Sequence, residues 1–150
     1  MEVTAEQIKE LREKTGISVA ECKKALVEAE GDMEKAIAIL REKSAASVAK
    51  KADRELGAGT VGAYVHSNAQ VGALVLLSSE TDFVAKNEEF VSLARDIAMH
   101  ASAMRPASLE EIMEQPFIKD PSKTIAQLIS EATQKFGERI VLSKLDVSAV

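Results

Sequence analysis

Between residues 4 and 42 the apolar positions recur every three or four residues, the period of an amphipathic helix. Thr4 followed by Gln7 makes a capping box, in which the hydroxyl accepts from a free N–H of the first turn and the amide reaches back. Ile8 and Leu11 then take one face, and Gly16 stops the helix. Ser18 with Glu21 repeats the box. Val19, Cys22, Leu26 and Ala29, with Ala25 beside them, form the stripe of a second helix that Gly31 ends. Asp32 caps a third helix, whose stripe is Met33, Ala36, Ile37 and Leu40. Helices this short enclose a thin core, so the module leans on its neighbours or works as a mobile unit. Residues 43–56 propagate helix well but lack a continuous apolar face. They read as an exposed helical linker bearing Lys43, Lys50, Lys51 and Arg54, closed by Gly57 and Gly59. Those cations are either a patch for nucleic acid or an acidic partner, or simply a solvated face.

The period then changes to two. Val61, Ala63 and Val65 alternate with Gly62, Tyr64 and His66, which predicts a strand over Thr60 to His66. Ser67 to Gln70 suits a turn. Val71 to Glu80 is mostly apolar and predicts a second strand, hairpin-paired with the first and buried on both faces. Helical spacing returns after Asn87, a candidate cap, with Phe90, Leu93, Ala94, Ile97, Ala98 and Ala101 on one stripe and Pro106 beyond the end. Ser108 with Glu111 marks a short helical turn. Asp120 as cap and Pro121 at the first helical position predict a further helix, with Ile125, Leu128, Ile129, Ala132 and Phe136 inward and Gly137 at its stop. Arg139 to Val147 reads as a third strand. The expected organisation is a three-helix module at 1–42, a helical linker at 43–56 and an α+β core at 57–150 with a three-stranded antiparallel sheet.

Composition narrows the function classes. Hydrophobic residues make up 46% and charged residues 29%, which suits a soluble globular chain. The net charge of −5 and the near absence of aromatics argue against direct nucleic-acid binding, which needs a basic surface and stacking platforms. The single cysteine, Cys22, has no intramolecular partner for a disulfide. The N-terminus has neither the basic nor the apolar region of a signal peptide, and the longest apolar run, Val71 to Leu77, is too short to span a bilayer. A cytoplasmic protein without membrane attachment is expected.

Reactive constellations are thin. His66 and His100 fall on different elements, and Cys22 lies on the apolar stripe of another module, so no metal site is expected. Glu80 and Asp82 form no persuasive acid–base pair. Neither a P-loop nor a G-x-G-x-x-G fingerprint is present, so no bound nucleotide or other cofactor is expected. One junction is unusual. Ser79 to Asn87 leaves a buried strand, yet sets an aromatic beside carboxylates. Thr81 can cap a short helical turn that begins with Asp82 and Phe83. Either Phe83 folds back into the core and Asp82 merely complements the helix dipole, or the pair protrudes as an aromatic anchor with a charge beside it, the composition of a binding hot spot.

The run Thr81-Asp82-Phe83-Val84-Ala85-Lys86-Asn87-Glu88-Glu89-Phe90 resembles the signature of the elongation factor Ts family. Leu11-Arg12-Glu13-Lys14-Thr15-Gly16, followed by Glu21-Cys22-Lys23-Lys24-Ala25-Leu26, resembles that family's N-terminal ubiquitin-associated-like module. Gln115-Pro116-Phe117-Ile118-Lys119-Asp120-Pro121-Ser122-Lys123-Thr124 resembles a third segment, near the end of its core. Two departures are visible. Val19 and Ala20 stand where family members commonly have paired methionines, and the long insertion before the Gln-Pro-Phe block is reduced to Ser108 to Glu114.

The resemblance implies a guanine nucleotide exchange factor without bond-making chemistry. Its partner would be elongation factor Tu, GDP-bound and nucleotide-free. In that family an Asp-Phe tip enters the GTPase domain near its magnesium site, which assigns partner binding here to Thr81, Asp82, Phe83 and Val84. Leu11, Arg12, Val19, Ala20 and Lys23 would form the N-terminal module's contact with the GTPase domain. Single-core members pair as homodimers, so residues 57–150 would double as a dimerisation domain. Two other readings use the same residues: an adaptor that holds a peptide or protein through its N-terminal helices, and a small hydrolase built on Asp82 and His66.

Overall fold

A computed structural model describes residues 2–150. The N-terminal module forms from the local signals in order. Thr4 and Gln7 close both halves of their capping box and open α1 (Ala5–Thr15), which ends where Gly16 turns left-handed at φ 70°. Ser18 accepts from the Glu21 N–H and opens α2 (Val19–Glu28). Asp32 accepts from the Lys35 N–H and opens α3 (Met33–Lys50). Leu11, Ile17, Cys22, Ala25, Leu26, Ala29, Ala36 and Leu40 make the module's core. Cys22 is buried there, and burial pushes its thiol pKa up, which keeps it protonated and inert.

The third helix is longer than its apolar stripe. It runs unbroken through Lys50, into the segment read as a linker. Ser44 is buried in that second half, and its hydroxyl donates to the Gln134 carboxamide of the core. The expectation of an exposed face is thus corrected at Ser44. Small side chains here allow close helix packing, which the search for large apolar residues overlooks.

The core sheet has the order β1 (Ala58–Val65), β2 (Val71–Ser79), β5 (Val141–Ala149), all antiparallel. A hairpin joins β1 and β2; Asn68 turns its chain by accepting from the Gln70 N–H, and Ala69 adopts φ 59°. The 17-residue α5 (Glu88–Met104) crosses the inner face. Gly62 permits that crossing: a Cβ there would meet the Ala94 carbonyl oxygen at 2.3 Å. Ala73, Val75, Leu77, Phe90, Ile97, Ile112, Ile125 and Leu142 fill the space between sheet and helices, with α4 (Asp82–Ala85) at the sheet's end. The second strand is not buried on both faces. Leu74 is 50% exposed on the outer face, level with Ala63 of β1 and Asp146 of β5. The helices cover only the inner face, so an apolar sequence did not report what lies opposite.

The Gln-Pro-Phe block also differs from expectation. After α6 (Leu109–Glu114), β3 (Pro116–Phe117) pairs with β4 (Asp120–Thr124) as a small hairpin. The helix expected from Pro121 begins later, as α7 (Ile125–Phe136). Thr124 and Gln127 form a complete capping box just where the inward stripe starts. Asp120 caps no helix; it accepts from the Ser122 N–H and hydroxyl and tightens the hairpin. Among the described residues no helix is long and apolar enough to cross a membrane.

Candidate functional site

The junction after β2 builds an exposed tip on a buried base. Ser78 and Ser79 end the strand out of solvent. Thr81 caps α4, accepting from the Val84 N–H at 3.4 Å. Val84 and Ala85 turn into the core, at 4% and 5% exposure, and the Ala85 carbonyl accepts from the Thr60 hydroxyl of β1. Phe83 points the other way and is 85% exposed, with the exposed Asp82 beside it. Asn87 starts α5 immediately afterwards, accepting from the Glu89 N–H at 2.8 Å. The tip is therefore a single turn between two capped helix starts. Its geometry decides between the two sequence readings: Phe83 protrudes.

A phenyl ring this exposed adds almost nothing to the fold's apolar burial. The turn already spends two of its apolar residues, Val84 and Ala85, on the core. Val84 is thus an anchor of the tip and not part of its free surface. Leu11, also assigned to partner contact, is fully buried and belongs to the N-terminal core. Arg12, Val19, Ala20 and Lys23 are exposed. Val27 extends the same side of α2, eight residues after Val19, and is 58% exposed. Its helical spacing from Lys23 was the available signal, but an apolar residue near an apolar stripe reads as core.

The other reactive side chains are dispersed. The eight-pair ladder of β1 and β2 separates His66, at the hairpin turn, from Asp82, beyond the opposite end. At roughly 3.4 Å per residue that ladder spans about 25 Å, so the two cannot act on one substrate atom. His66 instead receives or gives a 3.2 Å hydrogen bond with the Tyr64 hydroxyl. His100 is fully buried, bonded to Gln115 and to the Ile118 N–H. Among the described residues no three His, Cys, Asp or Glu side chains gather as metal ligands.

Comparison with known proteins meets the same segment. The family described as Elongation factor TS matches residues 80–150, beginning at the junction itself. The chain is 42% identical to the Elongation factor Ts of Acetivibrio thermocellus, across 92% of this chain and 85% of that relative. It is 46% identical to the Elongation factor Ts of Trichlorobacter lovleyi, across 96% of this chain but only 46% of the relative's length.

Proposed function

This chain belongs to the elongation factor Ts family, and on that premise we propose that it exchanges guanine nucleotide on elongation factor Tu, binding the GDP form and speeding GDP release. The observation that supports a role for the tip is the exposure of Phe83 on a turn whose neighbouring apolar residues are buried. In this reading Phe83 wedges into the GTPase domain near its magnesium site, and Asp82 brings a carboxylate against the local hydrogen bonding. Mg²⁺ demands near-ideal octahedral oxygen ligands, so a small displacement there weakens the held GDP.

Magnitudes say that the wedge has help. Burying a phenylalanine supplies about 1.5–3 kcal/mol, and each 1.4 kcal/mol is roughly tenfold in affinity. Phe83 alone therefore weakens nucleotide by about ten- to a hundredfold at most. The exposed side of α2, with Val19, Ala20, Lys23 and Val27, is the second contact in this reading, with Arg12 of α1 beside it. Buried Leu11 shapes that surface from beneath, as Val84 supports the tip. Coupling is reciprocal: the factor weakens nucleotide, and incoming nucleotide weakens the factor.

The reading extends to assembly. The outer sheet face presents Val61, Val65 and Leu74, bordered by Lys144 and Asp146 of β5. A second copy is the occupant proposed for it. A two-fold axis sets identical patches together and lets Lys144 of one copy approach Asp146 of the other.

The test is release of labelled GDP from elongation factor Tu. Phe83→Ala is expected to slow stimulated release by about ten- to a hundredfold. Its stability should change by less than about 0.5 kcal/mol, because the ring packs on nothing. Release at the wild-type rate would overturn the tip reading, as would loss of the fold.

A further inference from the structure

We infer that Glu138 is a positioning residue for exchange, which clamps the Asp82–Phe83 tip through the backbone at its base; this rests on the tip reading above. Glu138 follows Gly137, whose left-handed φ of 70° ends α7 and swings the chain toward the end of β2. One carboxylate oxygen, Oε1, accepts from the Glu80 N–H at 3.1 Å and from the Thr81 N–H at 3.0 Å. The other, Oε2, accepts from the Thr81 hydroxyl at 2.7 Å. That same hydroxyl oxygen accepts from the Val84 N–H and caps α4. The carboxylate thus fixes both the two amides that follow β2 and the cap that starts the turn bearing Phe83.

The arrangement is reciprocal. Glu80 sends its own carboxylate back to the Arg139 N–H, beside Glu138. Arg54 donates to the Glu80 carboxylate at 3.3 Å and to the Gly137 carbonyl at 3.4 Å, and Arg139 donates to the Arg54 carbonyl at 2.8 Å. Arg54 thus pairs with the Glu80 carboxylate, and Arg139 ties the Arg54 backbone to the same clasp. The clasp matters because α4 has a single turn and cannot hold its own shape. A loose turn would bring Phe83 to the partner in many orientations, and ordering it would consume binding free energy. Hydrogen bonds from both backbone N–H groups and the Thr81 hydroxyl to one side chain remove that freedom before the encounter.

Reach, not charge, should be decisive. In Glu138→Gln the amide oxygen replaces Oε1 and still accepts both N–H groups, while the amide NH₂ donates to the Thr81 oxygen. In Glu138→Asp the charge remains but the carboxylate withdraws by one methylene. The experiment measures stimulated GDP release from elongation factor Tu for the full chain and for E138Q, E138D, E138A, F83A and F83A/E138A. It also measures hydrogen exchange at the Glu80 and Thr81 amides.

E138D and E138A are expected to be about tenfold slower, and E138Q within about threefold of wild type. E138A should lose protection at those two amides while the rest of the core keeps it. E138A should slow F83A by less than it slows wild type, because part of the clamp's effect runs through Phe83 and the rest through Asp82. An equal slowing in both backgrounds would show that Glu138 does not act through Phe83. If F83A is slow but E138A and E138D run at the wild-type rate, the inference fails and the tip reading stands. If F83A itself runs at the wild-type rate, the reading fails and takes the clamp with it. Should E138A not fold, E138D against E138Q decides: a fast E138D with a slow E138Q overturns the clamp.

Discussion

His100 shows how much one buried side chain can depend on its partners. The Ile118 N–H donates to Nδ1 at 3.1 Å, so that nitrogen holds no proton, and Nε2 donates to the Gln115 carboxamide at 2.9 Å. The ring is therefore neutral, and it ties α5 to the β3–β4 hairpin. Burial drives its pKa below the usual 6.5, against a smaller upward pull from Gln115. The sign follows from linkage. Between 6.5 and the lower folded value the unfolded chain holds the extra proton, so stability is full above that window and falls as pH drops through it. Urea unfolding between about pH 7.5 and about pH 5.5 should show a slope of up to ~1.4 kcal/mol per pH unit from this group. His100→Asn should be less stable at the higher pH by about 1–3 kcal/mol and have a shallower pH dependence. An unchanged slope would place the proton elsewhere. At this scale the sequence was informative wherever the interaction is local, as with Thr4 and Gln7 or Asp32 and Lys35. It was silent on Phe83, since a core aromatic and a protruding one have the same neighbours in sequence.

At the scale of elements, the two modules are joined by polar groups as much as by packing. Lys123 of β4 donates to the Lys14 carbonyl at the end of α1 and to Glu131 of α7, both at 2.8 Å. Arg41 of α3 donates to the Ser122 carbonyl at 2.7 Å. Burial pushes the Glu131 carboxyl up, and Lys123 pulls it down by less. Asp120 is held low, chiefly by the Ser122 hydroxyl. Glu131 and Lys123 are nearly out of solvent, so removing one strands the other. Lys123→Met should cost about 3–5 kcal/mol in denaturant unfolding, and Lys123→Met with Glu131→Leu should recover most of it. Equal losses in both variants would show that the charge pair is not the source. The sequence read this region as the start of a helix, because Asp-Pro is a strong local signal. The signal that prevailed, Thr124 with Gln127, was equally local; its advantage is that the apolar stripe begins with it.

For the whole molecule, the surface left uncovered by helices is the outer face of the sheet. Leu74→Lys should leave the monomer folded, because the site is half exposed and Asp146 lies directly opposite on β5. Under the proposed assembly it should convert a dimer to a monomer in sedimentation equilibrium, at concentrations where the parent chain is dimeric. A parent chain that is monomeric throughout would remove the proposal.

The sequence by itself determined the elements whose signals lie within a turn or a strand of one another. These are the N-terminal helices and their caps, the β1–β2 hairpin, the long stripe of α5 and the acid–aromatic junction. Hydrogen bonds between neighbours and a regular apolar period need no distant information. Only the tertiary structure decided which side of β2 meets solvent, how far α3 continues against α7, and that Phe83 stands outside while Val84 holds the turn from within. Those outcomes depend on what packs opposite, and the opposing group comes from far along the chain. Glu138 reaches the tip across 57 residues, which no local pattern at Thr81 can reveal.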